Sequence, residues 1–194
     1  METPALLDRS RKADSPASAG AAADARRYRD ACLAALDAIA AQPVHPKIAR
    51  MLAYCRVILP PDRLPGRAQF DPVDVPALLP NVWLLELEHG PFEHGPRFRY
   101  RLMGTRVAAA FQADLTGRYV GEVHSAEAAA AMHAYLMGVV DSRRPHFRVG
   151  KPTAWPIAEF LTLERLYMPL ARDGATVDMI LGFTVFLKKD GSEF

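Results

Sequence analysis

The chain has 194 residues, 50% of them hydrophobic, and its 24 lysines and arginines nearly balance its 22 aspartates and glutamates. Balanced charge gives no electrostatic reason to expect a nucleic acid, which binds clustered basic surfaces. No apolar run approaches the roughly 20 residues that span a bilayer, and the N-terminus lacks the apolar core of a signal peptide, so we expect a cytoplasmic protein without membrane contact.

A polar segment and two predicted helices come first in the chain. Residues 1–23 are rich in alanine, serine, proline and charge, and they have too few large apolar side chains to bury, so we predict disorder there. Residues 24–61 are predicted to form two helices. The first carries an apolar stripe that includes Tyr28, Leu36 and Ile39, and this stripe offers a surface for a homodimer.

The two cysteines, Cys32 and Cys55, both lie on these predicted helices. Their positions show no CxxC or other metal-binding spacing. We therefore expect two reduced packing residues and no metal site built on them.

One domain is predicted over residues 62–188, followed by a short tail at 189–194. A proline-punctuated segment leads into it, and alternating apolar residues then predict five strands. Helical periodicity predicts a short helix that Thr105 caps and a longer helix that Ser125 caps. The predicted strands are 81–88, 98–102, a short one around 147–149, 160–170 and 176–187, and the predicted helices are 107–111 and 125–141.

The last two predicted strands carry most of the apolar side chains. In the fifth, Met179 and Leu181 share one face and Gly182 lies on the other, so we expect the first face to pack against the helix at 125–141. The fourth is apolar on both faces, which a sheet with one face in water would not need. We therefore expect the N-terminal helices, or a partner subunit, to cover part of the second face.

Six segments carry a family resemblance: LPGRAQFDPVDVPALLPNV (64–82), FRYRLMGTRV (98–107), DLTGRY (114–119), the turn at 142–145, ERLYMPL (164–170) and VDMILG (177–182). In this order they resemble small bacterial stand-alone PAS-domain proteins. The resemblance implies an α+β fold, namely a five-stranded antiparallel sheet with helices on one face around a small apolar cavity, here with an N-terminal helical extension. It also implies a non-catalytic sensory or interaction module in bacterial signalling, with a signalling protein as partner.

A ligand cavity is expected between the inner face of this sheet and its helices. An apolar cavity with a few hydroxyls suits a small apolar or amphipathic molecule, although the same side chains could simply fill a core. The expected lining residues are Tyr100, Leu102, Phe111, Tyr119, Met132, Tyr135, Leu136, Phe147, Arg165, Met179, Leu181 and Phe183.

Arg165 is a charged residue inside an apolar predicted strand. Such a residue must find either a carboxylate or a ligand anion. We favour a structural ion pair, with Asp114, Asp178 or Glu122 as its partner, over an anionic ligand.

Two other functions stay open beside the sensory one. His133, on the longer predicted helix, could ligate haem, as a helical histidine does in some PAS domains. His124 could serve a small enzyme, since Asp114 and Glu122 lie nearby in the same loop region. A flavin-adduct photosensor is excluded because both cysteines precede the domain, and no cofactor is expected.

Overall fold

The computed structural model describes residues 16–92, 95–151 and 162–193 and is built around a five-stranded antiparallel sheet. In chain order the elements are α1 (Pro16–Ala40), α2 (Pro46–Val57), β1 (Val82–Glu88), β2 (Arg97–Met103), α3 (Thr105–Phe111), α4 (Val120–Val123), α5 (Ala126–Ser142), β3 (His146–Gly150), β4 (Thr162–Leu170) and β5 (Met179–Leu187). Three short 3₁₀ turns lie between α2 and β1. The strand order across the sheet is β2-β1-β5-β4-β3, which confirms the predicted α+β architecture.

The first helix is longer than the sequence pattern predicts. α1 begins at Pro16, so residues 16–23, which we predicted to be disordered, are helical. The segment is rich in alanine, the residue with the highest intrinsic helix propensity, and proline is well suited to a first helical turn. Residues 1–15, the rest of that prediction, lie outside the described residues. Within the described ranges, none of the helices combines the length and apolar character that crossing a membrane requires.

The N-terminal helices cover one face of the sheet. Cys32 and Leu36 of α1 and Met51 of α2 are fully buried in a core that includes Leu181 and Phe183 of β5. This confirms the expectation that these helices cover the second face. Leu36 and Ile39 of the apolar stripe on α1 are buried within their own chain and Tyr28 is half-buried, and a homodimer through this stripe stays a prediction.

The opposite face of the sheet packs against α3 and α5. Leu136 and Val139 of α5 are fully buried against Leu85 of β1, Phe98 of β2 and Ile180 of β5. The sheet is therefore the middle layer of three, with a separate apolar core on each side of it.

This arrangement overturns one expectation about β5. Met179 and Leu181 face α1 and α2, whereas Ile180 and Phe186 face α5. The prediction that α5 packs on Met179 and Leu181 is wrong. Alternation shows which residues share a face, but in a sheet buried on both sides it does not show which helix covers that face.

A β-bulge changes the facing of side chains along β2. Leu85 of β1 pairs with Tyr100, but Leu84 pairs with Leu102, so Arg101 is an extra residue in β2. Tyr100 faces α5, and Leu102 packs against the core under α1 and α2. A sequence pattern read with an unbroken period of two could not have shown this change.

A glycine, and not the predicted Thr105, precedes α3 at the cap position. Gly104 donates its backbone N–H to the Val82 carbonyl at 2.7 Å, and a Cβ there would overlap the carbonyl oxygens of Leu79 and Pro80. The close backbone approach therefore requires glycine, and Thr105 becomes the first helical residue. The predicted Ser125 cap of α5 is confirmed, since its hydroxyl accepts from the Ala128 N–H at 3.3 Å.

Candidate ligand pocket

A cavity of about 410 Å³ lies between the sheet and the helices α3 and α5. Its position depends on short side chains at the start of α5, where Ala128 and Ala131 line the cavity and Met132 follows them. Because protein interiors are otherwise closely packed, a space of this size under a helix is a specific feature of the fold. Its volume falls within the range of small-molecule sites, about 300–1,000 Å³.

The floor of the cavity is an aromatic platform on the sheet. The indole of Trp83 lies across Gly182, where a Cβ would overlap the ring. Trp83 donates its Nε1–H to the Thr184 hydroxyl at 2.9 Å, and its ring meets that of Tyr167 edge-on at 5.5 Å. Leu163 and Phe186 complete this floor. A glycine in β5 therefore provides the space in which a large aromatic side chain is fixed.

One side of the cavity carries a neutral polar pair. The Tyr100 hydroxyl lies 3.1 Å from His124 Nε2, and the His124 ring packs edge-on against Phe111 at 5.7 Å. Burial raises the pKa of Tyr100 and lowers the pKa of His124. Both groups are therefore uncharged near neutral pH, and they offer a ligand hydrogen bonds without charge.

The other side of the cavity carries two arginines. Arg148 of β3 and Arg165 of β4 are paired directly across the two strands, and both line the cavity. The Arg165 side chain lies against the Tyr167 hydroxyl, but its Nε and Nη2 atoms are buried and have no well-formed hydrogen bond to any residue that the structure describes. The Arg148 guanidinium lies 5.5 Å from the ring centre of Tyr135, and Tyr135 in turn packs on Tyr167 at 4.9 Å.

The structural ion pair that we favoured for Arg165 is not formed by any of its three expected partners. Asp114 bonds the Thr116 hydroxyl, Asp178 lies near Arg172, and Glu122 bonds Arg118. All three acidic groups lie in other parts of the molecule because the strand register directs Arg165 under α5. Glu127, which is exposed, is the only carboxylate residue on the cavity wall within the described part of the chain.

Five of the twelve predicted lining residues do line this cavity: Tyr100, Phe111, Met132, Tyr135 and Arg165. Leu136 is buried in the adjoining core without lining the space. Tyr119 lies outside, where its hydroxyl donates to Glu88 at 2.7 Å.

The other five predicted residues lie on the opposite face of the sheet, against α1 and α2: Leu102, Phe147, Met179, Leu181 and Phe183. Their assignment to the cavity was wrong, for Leu102 because of the bulge and for the others because the facing of β3 and β5 was reversed. The prediction missed the whole floor of the cavity, including Trp83, Tyr167 and Thr184. Gly182 was the signal for them, since a glycine within an apolar strand indicates close approach of another group on that face.

The histidines of the two alternative functions have structural contacts. His133 donates a ring N–H to the Pro96 carbonyl at 2.8 Å and packs against Phe98, outside the cavity lining. His124 contacts Tyr100 and Phe111, while Asp114 and Glu122 bond other groups. Across residues 16–92, 95–151 and 162–193, no three potential metal-ligating side chains gather. The haem and enzyme functions stay predictions that no contact here favours.

Comparison with protein families connects this geometry to a known class. A sequence profile for the PAS domain matches residues 44–185, from just before α2 to near the end of β5. The chain belongs to the PAS-domain family. The PAS match leaves out α1, as the resemblance in the sequence motifs did, and supports a sensory or interaction module in general terms. No curated protein gives a significant match.

Proposed function

We propose that this PAS domain is a small-molecule sensor whose ligand, apolar or amphipathic, binds in the cavity between the sheet and α5. The observation that carries the proposal is the cavity itself, about 410 Å³ between the sheet and α5, because protein interiors are otherwise closely packed. Its aromatic floor of Trp83 and Tyr167 and its few polar groups match the usual composition of a ligand site.

The strand β4 connects this cavity to the N-terminal helices. Arg165 and Tyr167 face the cavity, and the alternate residues Glu164 and Met168 face α1 and α2. Glu164 accepts the His45 N–H at 2.8 Å, and Met168 Sδ lies 4.0 Å from Cys32 Sγ on α1. A ligand that shifts β4 therefore acts directly on both helices.

The output in this proposal is a change in protein contacts. The helices α1 and α2 respond to the occupied cavity, and their exposed surfaces present that response to a signalling protein or to a second copy of the chain. Since the Leu36 and Ile39 side chains of α1 are buried, such a contact uses the other faces of these helices.

The test uses a neutral dye, N-phenyl-1-naphthylamine, whose fluorescence rises in an apolar site. The purified chain is titrated beside Ala128→Trp, which places an indole in the cavity, and Ala134→Trp, which adds the same ring at an exposed position on the same helix. We expect saturable binding by the wild type and the Ala134→Trp control, and none by Ala128→Trp. Equal binding by all three proteins, with unchanged circular dichroism, would show that the dye does not use this cavity.

A further inference from the structure

We propose, on the basis of the sensor function above, that the ligand of this cavity is an organic anion, with an apolar body and a single carboxylate or phosphate group that binds Arg165 and Arg148. The proposal names the chemical class of ligand, which the fold alone leaves open. It follows from the state of the two guanidinium groups and from the shape of the cavity.

The first argument is the unpaired edge of Arg165. Its Nε and Nη2 atoms are buried without a hydrogen-bond partner in the described structure, although buried polar groups are nearly always paired. These two nitrogens form one edge of the guanidinium, and their parallel N–H groups match the two oxygens of a carboxylate or phosphate. The unsatisfied edge is therefore a site for an oxyanion.

The second argument is the pairing of like charges. Arg148 lies directly opposite Arg165 on the neighbouring strand, and like charges in this position repel. Among the residues that the structure describes, Glu127 of α5 is the one carboxylate on the cavity wall, and it is exposed to solvent. An anion held between the two arginines removes the repulsion and satisfies the Arg165 edge at the same time.

The third argument is the separation of the two strands whose polar side chains reach into the cavity. Tyr100 is on β2 and Arg148 is on β3, the two edge strands of the sheet. Four strand spacings separate these edges, roughly 19 Å at the usual inter-strand distance. The space between them is floored by Trp83 and Phe186, so it fits the apolar body of a ligand whose charged group lies at the β3 edge.

The test measures displacement of N-phenyl-1-naphthylamine by three naphthalene compounds. These are 1-naphthaleneacetate, 1-naphthyl phosphate and the neutral 1-naphthaleneacetamide. We expect at least one anion to bind the wild type about tenfold or more tightly than the amide, because hydrogen bonds to charged groups are the stronger ones. The anion that binds better distinguishes a carboxylate ligand from a phosphate ligand.

Substitutions then assign this preference to the arginines. In Arg165→Gln the ratio of the affinity for the anion to the affinity for the amide should fall nearly to one, while dye binding is unchanged. Arg165→Lys should keep part of the preference for the anion. Arg144→Gln is the matched control, since Arg144 is exposed and lies outside the cavity lining. If Arg165→Gln does not fold, Arg148→Gln gives the same comparison at a more exposed position.

Two results would overturn the proposal, and they differ in what they say about the sensor function. Displacement of the dye by the amide as effectively as by both anions would remove the anionic class and leave the cavity as a site for neutral ligands. A wild-type protein that binds neither the dye nor any of the three compounds would overturn both. A preference for anions that survives Arg165→Gln and Arg148→Gln would place the anion elsewhere and also contradict the proposal.

Discussion

Replacing Arg165 with methionine is expected to stabilise the ligand-free protein. A buried donor without a partner costs about 1–3 kcal/mol, and Arg165 has two such nitrogens. Methionine is unbranched and flexible and replaces the aliphatic stem of the arginine, so the packing of that stem is largely retained. Because part of the arginine side chain remains accessible, we expect the lower part of that range, a gain of about 1–2 kcal/mol in the free energy of unfolding.

The gain is measured by urea denaturation followed by circular dichroism, on protein refolded from denaturant so that no bound ligand is carried over. For a domain of this size it corresponds to a rise in Tm of about 2–8 °C. Arg144→Met, at an exposed position, is the control and should change the stability by less than about 0.5 kcal/mol. A loss of about 3–5 kcal/mol in Arg165→Met, as when one partner of a buried ion pair is removed, would refute the reasoning.

Three further predictions concern the floor, the cysteines and the polar pair. Gly182→Ala places a methyl group within the Trp83 ring and should lower the free energy of unfolding by about 1–3 kcal/mol in urea denaturation; an unchanged midpoint would contradict the platform geometry. Burial raises the pKa of Cys32 and of Cys55 to about 12, so neither should react with Ellman's reagent at pH 8 until the protein is unfolded. Burial lowers the pKa of His124 below 6.5, so as the pH falls this side chain is protonated more readily in the unfolded chain than in the folded protein. The free energy of unfolding should therefore decrease as the pH drops below 6.5. Parallel stability profiles for wild type and His124→Gln between pH 7 and pH 5 would contradict that.

The sequence patterns predicted the elements of the sheet better than their facing. Alternating apolar residues located β1 and β5, and the doubly apolar fourth strand correctly required cover on both faces. The prediction of which helix covers which face of the sheet was wrong at Met179, because both faces of β5 are apolar. The Leu102 error had a different cause, the extra residue Arg101 in β2, which leaves no trace in the spacing of apolar residues.

The cavity was less predictable than the fold. The residues that α5 contributes to the cavity could be predicted in part from the helical periodicity, which placed Met132 and Tyr135 correctly. Its floor depends on the register of β1 and β5, which brings Trp83 over Gly182, and a register between strands distant in sequence cannot be obtained from either strand alone. The unpaired edge of Arg165 could not be predicted either. The sequence contains several acidic residues that could have paired with Arg165, and only their three-dimensional positions show that they do not.

Native mass spectrometry of the chain purified from its own cells tests the cavity most directly. The wild-type protein and the Ala134→Trp control should retain a small-molecule mass that Ala128→Trp lacks, and treatment with denaturant should release it. The mass should belong to an organic acid if the arginines bind it as proposed. An identical spectrum for all three proteins, with or without a bound mass, would contradict the assignment of the space beneath α5 as the ligand site.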